Sequence, residues 1–295
     1  MDNTLKKIIS DGIANLSKIF HSEKASTSVI GIDIGSSSIK VVQLGKKGGK
    51  AMLETYGELA LGPYGNLDIG VVTNLAVDDV VRALADVIKE SNVTVRNGAI
   101  AIPSSSTLMF TISLPAKITE AELASVVPIE ARKYIPLPIT EVSMDWFQIP
   151  DESSSFENTP GSNSPTAPTT EPKIEVLVVA IHNDVLTRYQ EILKKSEIVS
   201  DSLEVEVFSN IRASFGHDVA PVLLMDFGAS KTKLSIIEAG VVRVFHVVNR
   251  GSAEITRNIS SSMSIPFPEA EKLKRTVGLD VNNDAKVAEI IRLSV

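Results

Sequence analysis

The 295-residue chain is long enough for about two globular units, and its hydrophobic content of 43% is ample for their cores. A formal net charge of −7 argues against a nucleic-acid-binding protein, and the absence of cysteine excludes disulfides, thiolate metal sites and cysteine nucleophiles. Because no apolar run approaches the roughly 18 residues of a membrane-spanning helix and no signal peptide is evident, we expect a soluble cytoplasmic protein.

The first segment, residues 3–20, has the pattern of an amphipathic helix, with apolar residues spaced three and four apart. One interpretation is a helix that packs against its own protein or a partner. The other is a helix on a membrane surface, with three lysines near the lipid headgroups. In either case, residues 1–27 form an N-terminal helix and linker outside the domain that begins near Ser28.

Short strands alternate with helices from residue 28 onward, which favours an α/β fold. Strands are predicted at 28–34 and 38–44, on either side of a serine-rich turn, and a third near 51–59. The stretch "VDDVVRALADVIKESN" repeats apolar residues at helical spacing behind acidic residues that suit a helix N-terminus. It is followed by "GAIAIP", which predicts a buried strand.

The next predicted helix begins at Thr119, which has the spacing of a capping box with Glu122, and Pro128 should kink or end it. Further along, "IEVLVVAI" predicts a buried strand, and a helix over about 184–196 precedes a strand near 203–208. Residues 151–172, which precede the "IEVLVVAI" strand, are rich in serine, threonine and proline. We therefore expect a mobile hairpin loop there, with regulatory phosphorylation as the alternative.

The stretch "VIGIDIGSSSIK" returns in the second half as "VLLMDFGASKTK". In both copies an apolar strand ends in Asp-x-Gly and a serine, and a lysine follows. A glycine turn between two strands directs several backbone N–H groups at one point and lets an anion approach closely. Two such turns could hold a polyphosphate from opposite sides. The alternative is that each copy is an ordinary hairpin turn, but the duplication favours nucleotide binding.

The aspartates of the two copies, Asp33 and Asp226, carry a charge that repels phosphate. They are better suited to Mg²⁺, which keeps several waters and takes one or two carboxylates with the substrate phosphates. The sequence therefore predicts a phosphate clamp with a magnesium ion.

Several segments carry a resemblance to a known family. The most specific is "EARKYIPLP" followed by "EVSMDW", and the others are "GIDIGSSSIKVVQL", "AIPSSSTLMFTISLP", "VLVVAIHNDVLTRYQEILKKSEI", "LEVEVFSNIRA" and "MDFGASKTKLSII". From about residue 28 to about residue 278 the chain resembles the PilM family of type IV pilus assembly, within the actin-like ATPase superfamily that includes actin, the Hsp70 ATPase domain, sugar kinases and FtsA.

This resemblance implies an α/β, actin-like (ribonuclease H-like) fold of two lobes with an inserted α+β subdomain. It divides the chain into a first subdomain of residues 28–106 and 201–220, the insertion at 107–200, and a second subdomain at 221–295. The superfamily's glycine-rich adenosine loop has no counterpart before Val295, so we expect a truncated chain or a reduced second lobe, with an effect on ATP affinity.

The resemblance also implies the residues of an ATP site. The two phosphate loops would be Asp33, Gly35, Ser36, Ser37, Ser38 and Lys40 in the first copy, and Asp226, Gly228, Ala229 and Ser230 in the second. Asp33 and Asp226 would reach the Mg²⁺ ion. Glu206 corresponds to an acidic position that orients the attacking water or the metal, so Glu206 and Asp226 are the implied catalytic residues.

Two further pairs are implied as cofactor-binding residues. Gly251 and Ser252 would begin the helix after the second loop, and Glu271 and Lys274 would lie near ribose or adenine on a nucleoside-contacting helix. For Glu271 and Lys274 the alternative interpretation is an exposed i, i+3 salt bridge.

The implied function is a cytoplasmic scaffold at the inner face of the inner membrane that binds ATP and Mg²⁺ and is at most a slow ATPase. Its implied partner is the N-terminal peptide of the membrane protein PilN, docking beside residues 107–200. Self-association and a membrane contact through residues 3–20 are further options. The alternatives are an FtsA-like division protein, or a phosphotransferase of the sugar-kinase type, for which no acceptor-binding stretch is evident.

Overall fold

A computed structural model describes residues 28–150, 172–200, 203–215 and 220–295. The predicted N-terminal helix and nearly all of the predicted loop at 151–172 lie outside these ranges. The strands in the described part are β1 (Val29–Ile34), β2 (Ser38–Lys47), β3 (Lys50–Ala60), β4 (Gly98–Ile102), β5 (Thr107–Pro115), β6 (Val142–Ile149), β7 (Lys173–His182), β8 (Leu203–Val205), β9 (Val222–Phe227), β10 (Thr232–Glu238) and β11 (Val241–Val248). The helices are α1 (Val77–Glu90), α2 (Glu120–Ala131), α3 (Asn183–Lys195), α4 (Glu206–Ser214), α5 (Ser252–Met263), α6 (Phe267–Val277) and α7 (Ala285–Ser294).

The first sheet has the strand order β3-β2-β1-β4-β8. The three predicted strands are present as β1 to β3 and form an antiparallel meander, and β4 and β8 extend it in parallel from β1. Every second residue of β1 is buried, and Ile30, Ile32 and Ile34 enter a core formed with α1 and α3. Burying each such side chain contributes about 1.5–3 kcal/mol, so this core fixes the register of β1.

The second sheet has the order β11-β10-β9 and is antiparallel throughout. One face packs on a core that includes Val207 and Ile211 of α4. Helices α5, α6 and α7 follow β11 and pack mainly on one another, around Ile259 and Val287.

The third sheet, β5-β7-β6, lies within the predicted insertion, and α2 covers one of its faces. The capping box of Thr119 and Glu122 is present and begins α2 as predicted. The prediction that Pro128 could end the helix is wrong, because α2 continues to Ala131. Proline leaves the carbonyl group of Ala124 without its helical donor, but Ala124 is exposed, so water can take the place of that donor.

The strand predicted near 203–208 is also wrong in part. Strand β8 ends at Val205, and Glu206 is already the first residue of α4. A carboxylate in the first turn interacts favourably with the helix dipole. In addition, the Ser104 hydroxyl group accepts a hydrogen bond from the Val207 N–H at 3.0 Å, which caps the helix.

None of the described helices is long and apolar enough to cross a membrane. The boundaries proposed for the subdomains remain a prediction.

Candidate functional site

The two copies of the repeated sequence form the same backbone turn. In the first loop (residues 35–38) the Gly35 N–H donates to the Ser38 carbonyl group at 3.0 Å, and in the second loop (residues 228–231) the Gly228 N–H donates to the Lys231 carbonyl group at 3.0 Å. A Cβ atom on Gly35 would lie 3.0 Å from the Ser38 oxygen, and one on Gly228 would lie 2.9 Å from the Lys231 oxygen. Both turns therefore use glycine because the returning backbone lies so close.

Both loops line one cleft of about 540 Å³, and α3, α4 and the segment before α1 supply other parts of its wall. The expected site residues that line it are Asp33, Gly35, Ser36, Ser37, Ser38, Lys40, Glu206, Asp226, Gly228, Ala229 and Ser230. The structure thus brings the two turns to a common cavity, and the roles of the individual residues stay a prediction.

The first loop is held in place by its own lobe. The carbonyl group of Ser36 accepts hydrogen bonds from the Thr73 N–H at 2.8 Å and from the Thr73 hydroxyl group at 3.2 Å. The carbonyl group of Ser37 accepts one from the Leu61 N–H at 2.8 Å. These bonds hold the first turn against the segment between β3 and α1.

Each loop is followed by a lysine that pairs with the aspartate preceding it. Lys40 faces Asp33 across β1 and β2, with 3.7 Å between its Nζ atom and the carboxylate. Lys233 faces Asp226 across β9 and β10, and there the distance is 2.8 Å. The side chain of Lys40 is 54% exposed, whereas that of Lys233 is only 14% exposed.

Lys233 also binds Glu206, with its Nζ atom 2.6 Å from both carboxylate oxygens. The Ser104 N–H donates to the same carboxylate at 3.2 Å. Burial raises the pKa of Glu206, and the charge of Asp226 adds to this, against the hydrogen bonds from Lys233 and Ser104. Burial acts to lower the pKa of Lys233, but its hydrogen bonds with Asp226 and Glu206 outweigh burial and raise that pKa.

Gly251 and Ser252 lie behind the second loop and are not among the residues that line the cleft. The Ser252 N–H donates to the Gly228 carbonyl group at 3.0 Å, and the next N–H donates to the carbonyl group of Ala229 at 3.0 Å. A Cβ atom on Gly251 would lie 2.5 Å from both carbonyl oxygens. The structure therefore gives this pair a supporting contact with the loop, made by the N-terminus of α5.

Glu271 and Lys274 likewise lie outside the cleft lining. They form an i, i+3 salt bridge of 2.6 Å, as the alternative interpretation expects, but Glu271 is only 6% exposed. Both side chains contact the Thr256 hydroxyl group of α5, and Arg275 binds the second carboxylate oxygen at 2.7 Å. Burial would raise the pKa of Glu271, but the hydrogen bonds from Lys274, Thr256 and Arg275 lower it.

Sequence reasoning missed several residues of the cleft wall. Arg188 and Tyr189 come from α3, where nothing in the local sequence marks them. Burial raises the pKa of the Tyr189 hydroxyl group, and the charge of Asp33 acts in the same direction. Lys233 could have been found, because the repeat aligns it with Lys40.

The three carboxylates of the cleft differ in how well they could bind Mg²⁺. Among the described residues there is no group of three or more acidic or histidine side chains that could hold a metal ion. Asp33 is 41% exposed and lies beyond hydrogen-bond distance of its lysine, so it fits an ion that keeps its waters and takes one or two carboxylates. Asp226 and Glu206 are already bound to an ammonium group.

Two strand–turn–strand units that line one cleft, the first joined to two parallel strands, give the chain an actin-like fold. The chain belongs to the family of the type IV pilus assembly protein PilM, since the family model matches residues 31–289.

Three solved structures resemble this chain to different degrees, and the first of them supports the fold. A protein in a "PilM-PilN type IV pilus biogenesis complex" is 22% identical, with a TM-score of 0.68 over 90% of this chain and 72% of that one. The ethanolamine utilization protein EutJ from Carboxydothermus hydrogenoformans is 14% identical, with a TM-score of 0.48 over 99% of this chain and 76% of its own. The cytoplasmic domain of EpsL from Vibrio cholerae is 9% identical, with a TM-score of 0.47 over 75% and 71%. The last two similarities are too weak to support any functional argument.

Proposed function

We propose that the chain is an actin-like scaffold protein of type IV pilus assembly that binds ATP in the cleft between its two loops. The observation that carries this proposal is the convergence of the duplicated glycine turns on one cavity. Membership of the PilM family supports the assignment to pilus assembly.

The charge of the cleft suits a polyphosphate. Its lining contains four basic side chains, Lys40, Arg188, Lys231 and Lys233, against three carboxylates. Glycine turns add backbone N–H groups that can approach phosphate closely, and hydrogen bonds to a charged group contribute roughly 1.5–3 kcal/mol each. Mg²⁺, when bound with the nucleotide, would neutralise phosphate charge. The resemblance implies Asp33 and Asp226 for it, and of the two only Asp226 is hydrogen-bonded to a lysine in this structure.

Hydrolysis, if it occurs, should be slow. Glu206 and Asp226 are the proposed catalytic carboxylates, but both are hydrogen-bonded to Lys233 in this structure. Such a carboxylate must be released from Lys233 before it can orient or deprotonate a water molecule. The nucleotide would then serve to bias the closure of two lobes.

We place the peptide partner, the cytoplasmic N-terminus of a PilN-like membrane protein, beside the third sheet and α2. Exposed apolar side chains are found there, at Ile129 in the last turn of α2, at Tyr134 and Leu137 after the helix, and at Leu108 on β5. The Tyr134 ring stacks on Phe110 of the same strand at 5.1 Å between centroids, which supports a preformed apolar surface. This partner places the protein in the cytoplasm at the inner face of the inner membrane, with self-association and membrane contact through residues 3–20 as further proposals.

Calorimetry tests nucleotide binding. We expect saturable binding of ATP in the presence of Mg²⁺, and a loss of about tenfold in affinity in Lys40→Gln, because one exposed cation near the phosphates is removed. The matched control is Lys46→Gln, whose lysine lies on the same strand but does not line the cleft. An absence of saturable binding to the wild-type protein would refute the ATP proposal.

The peptide proposal is tested by titrating a synthetic PilN-like N-terminal peptide, with Tyr134→Ser as the variant. We expect a saturable signal that Tyr134→Ser weakens, since loss of an aromatic anchor removes apolar contact area. Met225→Ser is the control, because it changes an exposed apolar residue on the second sheet. Equal binding by wild type and Tyr134→Ser would place the peptide elsewhere.

A further inference from the structure

The duplicated turns carry a lysine at the same position, but the two lysines lie in different surroundings. Lys40 is half-exposed and lines the cleft, and its Nζ atom lies 3.7 Å from the nearest carboxylate oxygen, beyond hydrogen-bond distance. Lys233 is only 14% exposed and lies between two carboxylates at 2.6 and 2.8 Å. One sequence position thus serves two different tasks.

The contacts of Lys233 join it to both carboxylates of the cleft wall. Three carboxylate oxygens lie within hydrogen-bond distance of its ammonium group: both oxygens of Glu206 and one of Asp226. The two oxygens of Glu206 share one N–H donor, and a second donor reaches Asp226, so the positive charge lies between the two carboxylates. The task of Lys233 is therefore to neutralise two carboxylates of the cleft wall.

A divalent ion at the second loop would have to occupy the same place. An ion bridging Glu206 and Asp226 needs the oxygens that Lys233 already binds, and two positive groups cannot share them without strong repulsion. The carboxylate pair therefore does not fit a metal ion as long as Lys233 is there.

We propose that Lys233 is the resident cation of the second loop, so that the metal accompanying the nucleotide is held from the first loop, at Asp33. This inference rests on the proposed nucleotide function for the part that concerns Asp33. The part that concerns Lys233 stands on the geometry of the three side chains alone. Lys233 is thus a positioning residue that decides where the metal can bind.

The first test uses the full chain without nucleotide and titrates Mn²⁺, followed by electron paramagnetic resonance. We expect Lys233→Met to bind Mn²⁺ at least tenfold more tightly than wild type, because the variant leaves Glu206 and Asp226 unpaired. Adding Asp226→Asn to Lys233→Met should abolish the gain. Lys40→Met is the matched control, and it should create no such site, since it leaves only Asp33 at the first loop.

Wild-type binding of Mn²⁺ that Asp226→Asn abolishes would overturn the proposal, as would a folded Lys233→Met protein without any gain. A second measurement covers the case in which Lys233→Met does not fold. It compares ATP affinity with and without Mg²⁺ in Asp33→Asn and Asp226→Asn. We expect the enhancement by Mg²⁺ to fall at least tenfold in Asp33→Asn and to persist in Asp226→Asn, and the reverse pattern would overturn the proposal.

The two failures can be told apart. If ATP binds under no condition, the proposed function is refuted, while the nucleotide-free Mn²⁺ titration still decides the place of Lys233. If ATP binds but Asp226 controls the effect of Mg²⁺, only the inference about Lys233 is refuted.

Discussion

The first and second copies of the strand–turn–strand unit have the same backbone and different surroundings. Ile30 and Leu223 occupy equivalent positions three residues before the aspartate, yet Ile30 is 1% exposed and Leu223 is 60% exposed. Helices α1 and α3 pack over the face of β1, whereas the described helices that follow β11 pack mainly on one another. The turn is therefore a local product of its glycine, while the burial of the strand beside it depends on the elements that the rest of the lobe provides.

The largest expected effect tests this difference directly. Ile30→Ala should reduce the free energy of unfolding by about 2–5 kcal/mol, because it leaves a cavity in a core that cannot collapse freely. Leu223→Ala should cost less than about 1 kcal/mol, because its side chain is exposed. Urea unfolding of both variants provides the measurement. A cost for Leu223→Ala close to that of Ile30→Ala would show that this face of β9 is covered in solution.

The two lysines give the next largest difference. Removing the partner of a fully buried charge costs about 3–5 kcal/mol. Because Glu206 and Asp226 are 15% and 29% exposed, Lys233→Met should cost an amount near the lower end of this range, about 3 kcal/mol at pH 7. Lys40→Met should cost no more than about 1 kcal/mol, because an exposed pair at 3.7 Å contributes little. Both values come from denaturant unfolding at constant ionic strength. Equal costs for the two variants would contradict the assignment of Lys233 as a buried counter-ion.

Features that depend on neighbouring residues could be predicted from the sequence, whereas features that depend on distant residues could not. The turns around Gly35 and Gly228 are local, so the repeat alone located both, and the apolar stretches on either side of the first turn located β1 and β2. The beginning of α4 at Glu206 depends on the Ser104 hydroxyl group, which lies 103 residues away from Val207. The alternating pattern of "LEVEVF" points to a strand, and no local signal reveals the cap that ends it.

Other differences between prediction and structure concern which residues are buried by tertiary packing. The i, i+3 spacing of Glu271 and Lys274 predicts their salt bridge, but the spacing does not reveal that Thr256 of α5 would bury it. Arg188 and Tyr189 reach the cleft because α3 crosses from the third sheet to the first lobe, and such a placement is set by tertiary packing. Tertiary packing also sets the contact of Gly251 with the carbonyl groups of Gly228 and Ala229, so the sequence does not reveal it.

The smallest expected effect compares two glutamates, Glu206 and Glu271, whose pKa values shift in opposite directions. Glu206 shares one lysine with Asp226, and burial raises its pKa, so its folded form holds a proton more readily than the unfolded chain. The contribution of Glu206 to stability therefore decreases as the pH rises from the ordinary value of 4.5 through the raised pKa. Glu271 has two cations, and its pKa is lowered, so its contribution is present above 4.5 and is lost as the pH falls through the lowered pKa.

Unfolding free energies measured between pH 3.5 and 7.5 check these signs with Glu206→Gln and Glu271→Gln. Glu271→Gln should cost about 1 kcal/mol at pH 7, because hydrogen bonds to a charged acceptor become weaker ones, and it should cost less at pH 3.5. Glu206→Gln should instead flatten the decline of stability above pH 4.5. If the stability contributions of Glu206 and Glu271 changed with pH in the same direction, the pKa of Glu206 would be lowered and not raised. Lys233 would then supply enough positive charge for both of its carboxylates. In that case Lys233 could also contact a phosphate group, as Lys40 can.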